Sequence, residues 1–211
     1  MAAEDAPRPG VPDVADPQPE TPFTEDIETG TANDPPAGTT GDEPTTVTVD
    51  GQPVSMPPGS TVLDAVEAVD PADDVQALCS YGREDLIGPR ATCRTCMVET
   101  DAHGLVAACS FPAEDGLSVT TDAPDAQDAR DVSLDLVLSN HNLRCSTCGQ
   151  NGRCELQDTS IEANVDHPRY GVFDDRDEYV PIDDSSSVIQ LDRNKCILCN
   201  RCVEACNDVQ V

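Results

Sequence analysis

Apolar and polar positions alternate over Thr45–Val49, a β-branched stretch, and the pattern returns over Gln52–Met56 after Asp50-Gly51. Two short alternating runs joined by Asp-Gly predict a β-hairpin with a two-residue turn. Pro57-Pro58-Gly59 stops the second strand, and Ser60 or Thr61 is placed to cap a short helix. Val62, Leu63, Ala65, Val66 and Val69 give that helix an apolar face. Further strands are expected over Thr95–Glu99, Leu105–Ala108 and Leu117–Thr120, the first two joined through Asp101-Ala102-His103-Gly104. Asp125–Asn140 reads as a helix with a broad stripe of Ala129, Val132, Leu134, Leu136 and Leu138. From His141 to Asp184 the chain is turn-rich and weakly periodic, and Val188–Leu191 looks like one last strand. No repeat of fixed period is visible.

Strand, hairpin, strand, helix is the opening of a β-grasp domain, so the expected class is α+β. The 211 residues suffice for one domain or two small ones. Residues 1–44 hold nine of the 18 prolines and eleven acidic residues against Arg8 alone. Such a segment buries too little apolar surface to offset its ordering entropy, which predicts a disordered acidic tail. The whole chain has 41 acidic and 12 basic residues, a formal charge of −29, and six aromatics. Nucleic acid and anionic membrane surfaces call for basic patches, so neither is an expected partner. No apolar run approaches the roughly 20 residues of a membrane span, and no secretory signal is visible, which together predict a soluble, cytoplasmic protein.

Eleven cysteines change the picture. An odd number without a signal peptide argues for metal or redox use over a disulfide framework. They fall into three groups. The first is Cys79-x13-Cys93-x2-Cys96-x12-Cys109, four thiols with a loop following the presumed β-grasp helix. That set suits a two-iron cluster; a zinc site is the alternative, although only one C-x2-C pair is present. The second is His141-x3-Cys145-x2-Cys148-x5-Cys154, where a turn after the apolar helix can swing the imidazole onto the same metal as Cys145. Gly149 and Gly152 let the backbone wrap closely there. The third, Cys196-x2-Cys199-x2-Cys202-x3-Cys206, has the spacing that wraps a four-iron cubane. By that spacing Cys196, Cys199 and Cys202 bind one cluster, whose fourth ligand is missing, and Cys206 belongs to a further one; the alternative is that Cys206 bends back as the fourth ligand. No cysteine is left for nucleophilic catalysis, and His103 and His167 lie outside any such pattern.

These motifs carry a resemblance. Cys79, the ATCRTC segment Ala91–Cys96 with Met97-Val98-Glu99, and Cys109 resemble the two-iron domain shared by three groups. These are the G-type iron–sulfur component of complex I, iron-only hydrogenases and formate dehydrogenase alpha subunits. His141–Cys154 with its NGRCELQD run is similar to the second cluster domain of the same groups. The CILCNRCVEACNDVQ run, Cys196–Gln210, looks most like the start of the bacterial-type twin-cluster ferredoxin domain of soluble formate dehydrogenase alpha subunits. The extreme acidity with Lys195 as sole lysine resembles halophilic archaeal proteins.

The resemblance implies a 2Fe-2S domain over residues 45–122, a His/Cys 4Fe-4S domain over 123–184 and a truncated 4Fe-4S ferredoxin domain over 185–211. It implies an electron-transfer module of a formate dehydrogenase-like oxidoreductase, fragment of a longer polypeptide, with a molybdopterin catalytic domain elsewhere and an NAD- or ferredoxin-linked redox partner. A fragment like the complex I component or a hydrogenase is the alternative within this class, and a zinc-stabilised interaction module the alternative outside it. No substrate-converting group is expected in the chain itself.

Overall fold

A computed structural model of the chain describes residues 43–69, 75–80, 90–165, 168–170 and 180–209. The acidic tail expected over 1–44 therefore lies almost wholly outside the described residues. The β-branched pair forms where the alternation places it, as β1 (Thr45–Val49) and β2 (Gln52–Met56), paired antiparallel. Asp50 and Gly51 both take positive φ, 47° and 81°, the turn whose twist matches that of two antiparallel strands. The Asp50 carboxylate also accepts from the Thr121 amide and hydroxyl at 3.0 and 2.8 Å, tying the hairpin to a segment far along the chain.

Thr61, not Ser60, caps α1 (Val62–Val69): its hydroxyl accepts from the Asp64 amide, and the Asp64 carboxylate accepts from the Thr61 amide. Three further strands follow, β3 (Met97–Thr100), β4 (Gly104–Ala107) and β5 (Ser118–Thr120), each within two residues of its expected ends. They complete a mixed sheet in the order β2-β1-β5-β3-β4, with β1 and β5 parallel and the other pairs antiparallel. Val47, Val49, Val98 and Val119 from the sheet meet Val62, Ala65 and Val66 of α1 in the main core, and Cys79, Cys96 and Cys109 are buried with them.

Helix α2 (Pro124–Ser139) starts on a proline whose missing N–H is no loss at a first turn. Arg130 pins it to the sheet by donating to the Met97 and Thr121 carbonyls at 2.8 and 2.9 Å. The stripe it buries is narrower than expected. Ala126, Leu134 and Leu138 are buried, whereas Val132 and Leu136 are 37% and 52% exposed. A further inward position is instead the buried Asp135, which accepts from the Arg169 amide and guanidinium. A paired carboxylate can occupy such a place where an unpaired one could not.

Two elements differ from expectation. Helix α3 (Glu155–Glu162) stands inside the stretch read as turns; it buries only Leu156 and Thr159, too few positions to give a visible period. No strand forms over Val188–Leu191. Leu191 makes one isolated bridge with Asp183, while Val188 and Ile189 are 86% and 59% exposed. The Ser186 hydroxyl accepts from both of their amides, a local bond that competes with a ladder. A four-residue helix α4 (Arg201–Glu204) follows. A second, smaller core of Leu78, Leu134, Leu138 and Leu156 joins α2, α3 and the approach to Cys79.

Candidate metal centres

The first group converges. Cys79 leaves the segment after α1, Cys93 and Cys96 flank the turn before β3, and Cys109 follows β4. Cys79, Cys96 and Cys109 are buried, Cys93 is partly buried, and none is in a disulfide. Their thiols lie close enough to shift one another's acidity. The Cys109 thiol, with Cys93 behind it, holds Cys79 far below the usual thiol range. Cys79 in turn pushes Cys109 far up. Cys96 is lowered by Cys109, and Cys93 is raised by Cys79. Four thiols with one another as partners are the donor set that releases protons when a thiophilic iron centre binds. The turn that presents them is strained: Ala91 and Arg94 carry φ of 50° and 60°. Thr95, buried in the same turn, lies 3.1 Å from the Cys93 sulfur by its hydroxyl and donates to the Gln76 carbonyl at 2.7 Å.

The second group shares one cavity of about 380 Å³, lined by His141, Cys145, Cys148 and Cys154 together with Leu138 and Leu156. The His141 amide donates to the Leu138 carbonyl at 3.1 Å, which turns the residue off the end of α2 toward that space. Its Nδ1 is buried and meets no hydrogen-bond partner among the described residues. Burial, aided by the Lys195 charge, holds the imidazole below its ordinary value, so the neutral, metal-binding form is favoured. An orphaned ring nitrogen sharing a cavity with three thiols fits a cluster ligand. Gly152 takes φ 76° in the loop, and the Gln150 amide points to the Cys148 sulfur at 3.5 Å.

The third group is more dispersed. Cys196 faces a cavity of about 380 Å³ shared with Cys93, Arg94, Leu136 and Leu198. Cys199 packs on the main core, while Cys202 and Cys206 are exposed. Leu198 and Asn200, between these cysteines, have φ of 57° and 61°, and the Leu198 amide reaches the Cys196 sulfur at 3.4 Å. Among the described residues no three His, Cys, Asp or Glu side chains are grouped to hold a single metal ion.

Sequence reasoning missed the side chains that join these groups. The Arg201 guanidinium bonds to the Glu155 carboxylate and to the Ala77 carbonyl. Arg90 pairs with the buried Glu204. The available signal was the position of basic residues beside cysteines in a chain with so few bases.

Comparison with known proteins finds two iron–sulfur domains in the chain. Residues 42–124 match a 2Fe-2S iron–sulfur cluster binding domain, and residues 130–169 match the NADH-ubiquinone oxidoreductase-G iron–sulfur binding region. The chain is an iron–sulfur electron-transfer module of the type built into oxidoreductases. Its relatives include the NADP-reducing hydrogenase subunit HndD of Solidesulfovibrio fructosivorans, 36% identical over 78% of this chain and 28% of that protein. The mitochondrial NADH dehydrogenase iron–sulfur protein 1 of Solanum tuberosum is 35% identical over 77% and 21%. The putative formate dehydrogenase YrhE of Bacillus subtilis is 32% identical over 78% and 16%. The chain thus spans 28% or less of the length of these relatives. Among solved structures, an NAD+-reducing [NiFe]-hydrogenase in the H2-reduced state superposes with a TM-score of 0.66 at 29% identity, covering 77% of this chain and 66% of that one. No helix among the described residues is long and apolar enough to cross a membrane.

Proposed function

We propose that this chain carries electrons through three iron–sulfur sites within a formate dehydrogenase-like oxidoreductase, between a molybdopterin catalytic domain and an NAD- or ferredoxin-linked partner. Cys79, Cys93, Cys96 and Cys109 hold a 2Fe-2S cluster; His141, Cys145, Cys148 and Cys154 hold a 4Fe-4S cluster. Cys196, Cys199 and Cys202 serve a further 4Fe-4S cluster, with Cys206 turned to another. The corresponding units are 45–122, 123–184 and 185–211, the last with bacterial-type ferredoxin spacing. Iron–sulfur clusters, when bound, supply one-electron exchange without bond-making. The eleven unbridged cysteines suit the reducing cytoplasm.

One observation carries the relay. The small core of Leu78, Leu134, Leu138 and Leu156 has Cys93, Cys154 and Ile197 packed against it, and Ile197 directly follows Cys196. A residue in or next to each of the three motifs therefore packs on a single apolar kernel, which keeps the motifs close. The described side chains near them position thiols and an imidazole nitrogen. The formate dehydrogenase assignment within the class rests on the Cys196–Gln210 run, since overall identity does not separate the relatives: 36% for the hydrogenase subunit, 35% for the NADH dehydrogenase protein and 32% for the putative formate dehydrogenase.

Anaerobic reconstitution of the full chain tests the reading. Visible absorption, iron and sulfide counts and a two-iron EPR signal are expected, with Cys96→Ser abolishing the two-iron signal and sparing a four-iron one. A colourless, zinc-binding product would refute it, as would a two-iron signal untouched by Cys96→Ser.

A further inference from the structure

Five of the 12 basic residues stand immediately beside a motif cysteine: Arg94, Arg144, Arg153, Lys195 and Arg201. In a chain with 41 acids, a placement so concentrated calls for a physical reason. Arg201 differs from Lys195 in burial, its side chain being 22% exposed against 43%. It opens α4, directly before Cys202. One arm of the guanidinium bonds to Glu155, the residue after Cys154, and the other donates at 3.2 Å to the carbonyl of Ala77, two residues before Cys79. A single planar fork thus ties together segments that carry a cysteine of each of the three groups. Glu155 is 46 residues away in sequence and Ala77 is 124. Two further bonds brace the same junction: Glu204, buried at the other end of α4, pairs with Arg90, and the Asn142 amide donates to the Asn194 carbonyl at 2.9 Å.

We propose that Arg201 is the positioning residue that clamps the three cluster-bearing loops together and sets the electronic coupling between their sites. This rests on the electron-transfer reading above and extends it to a residue that binds no cluster. A guanidinium fork holds two acceptors at fixed angles, which an ammonium cannot do. Its charge also stands among groups that become more negative on reduction, so it favours the reduced state.

The cluster-loaded full chain tests this by two readouts, the magnetic coupling between reduced clusters in EPR and their midpoint potentials. Arg201→Gln and Glu155→Gln break the same bond and should both weaken the coupling while leaving the iron content unchanged. Their potentials should move in opposite directions, downward when the cation is removed and upward when the carboxylate is. Arg201→Lys should return the potential but not the coupling. Unchanged coupling in Arg201→Gln, or potentials that shift alike in both Gln variants, would overturn the clamp. Should Arg201→Gln fail to fold, the exposed Glu155→Gln variant decides alone, with coupling retained counting against it. A wild-type chain that binds no iron overturns the electron-transfer reading and this inference with it; loaded clusters with indifferent variants overturn the clamp only.

Discussion

A histidine just past a helix C-terminus ordinarily finds its partner in water or in the last carbonyls. The Nδ1 of His141 does neither: it is buried without a hydrogen-bond partner among the described residues, and the side chain shares a cavity with three thiols. Burying a polar nitrogen without a partner costs on the order of 1–3 kcal/mol, so an undemanding neighbour would not be kept there. An imidazole brings no negative charge to a cluster, whereas a thiolate does. His141→Cys is therefore expected to retain four irons at that site and to lower its midpoint potential, read by EPR-monitored titration. An unshifted potential would return His141 to the role of bystander. The cysteines themselves were legible because their spacing states their chemistry. Arg201, Glu155 and Thr95 were not, since their roles follow from contacts between residues distant in sequence, or from a hydroxyl's distance to sulfur.

At the scale of elements, hydrophobic period located β1 and β2 to the residue and α1 to within its cap, because each pairs a clean alternation or face with its own turn or cap. Helix α2 was located but its inner face was misjudged. Leu136 has the size of a core residue, yet it is 52% exposed, while Asp135 beside it is buried through Arg169. No periodicity argument contains a partner that lies 34 residues away. The distinction is measurable by denaturation of the cluster-loaded chain. Leu134→Ala should cost ~2–5 kcal/mol, because Leu134 is buried and sits in the kernel that Cys93 and Cys154 pack against. Leu136→Ala should fall within about 0.5 kcal/mol. A larger penalty at Leu136 would restore the broad stripe. Helices α3 and α4 escaped the sequence for another reason: they are short, and they stand on cysteines and a guanidinium in place of an apolar stripe.

The whole molecule carries −29, and residues 1–44 account for −10 of it, leaving −19 on the part that holds the sites. Several of the cations there are already engaged: Arg90, Arg169 and Arg201 each pair with a carboxylate, and Arg130 is spent on sheet carbonyls. Bound clusters with thiolate ligands add further negative charge close to Glu155, Asp192 and Glu204. Against this repulsion stand a small valine-rich core and the little kernel of four leucines. Screening is weak at ordinary ionic strength, where the Debye length is ~10 Å at 0.1 M, and strong at 1 M, where it is ~3 Å. The folded, cluster-loaded state is accordingly expected to need molar salt, the halophilic behaviour that the composition suggests. Visible absorption followed while potassium chloride is lowered from molar concentration should show cluster loss before about 0.1 M is reached. Sodium chloride should act alike if screening is the cause, and residues 45–211 alone should keep most of the dependence. Full cluster retention by residues 45–211 in dilute buffer would mean that the charge is carried harmlessly, and the halophilic reading would fail.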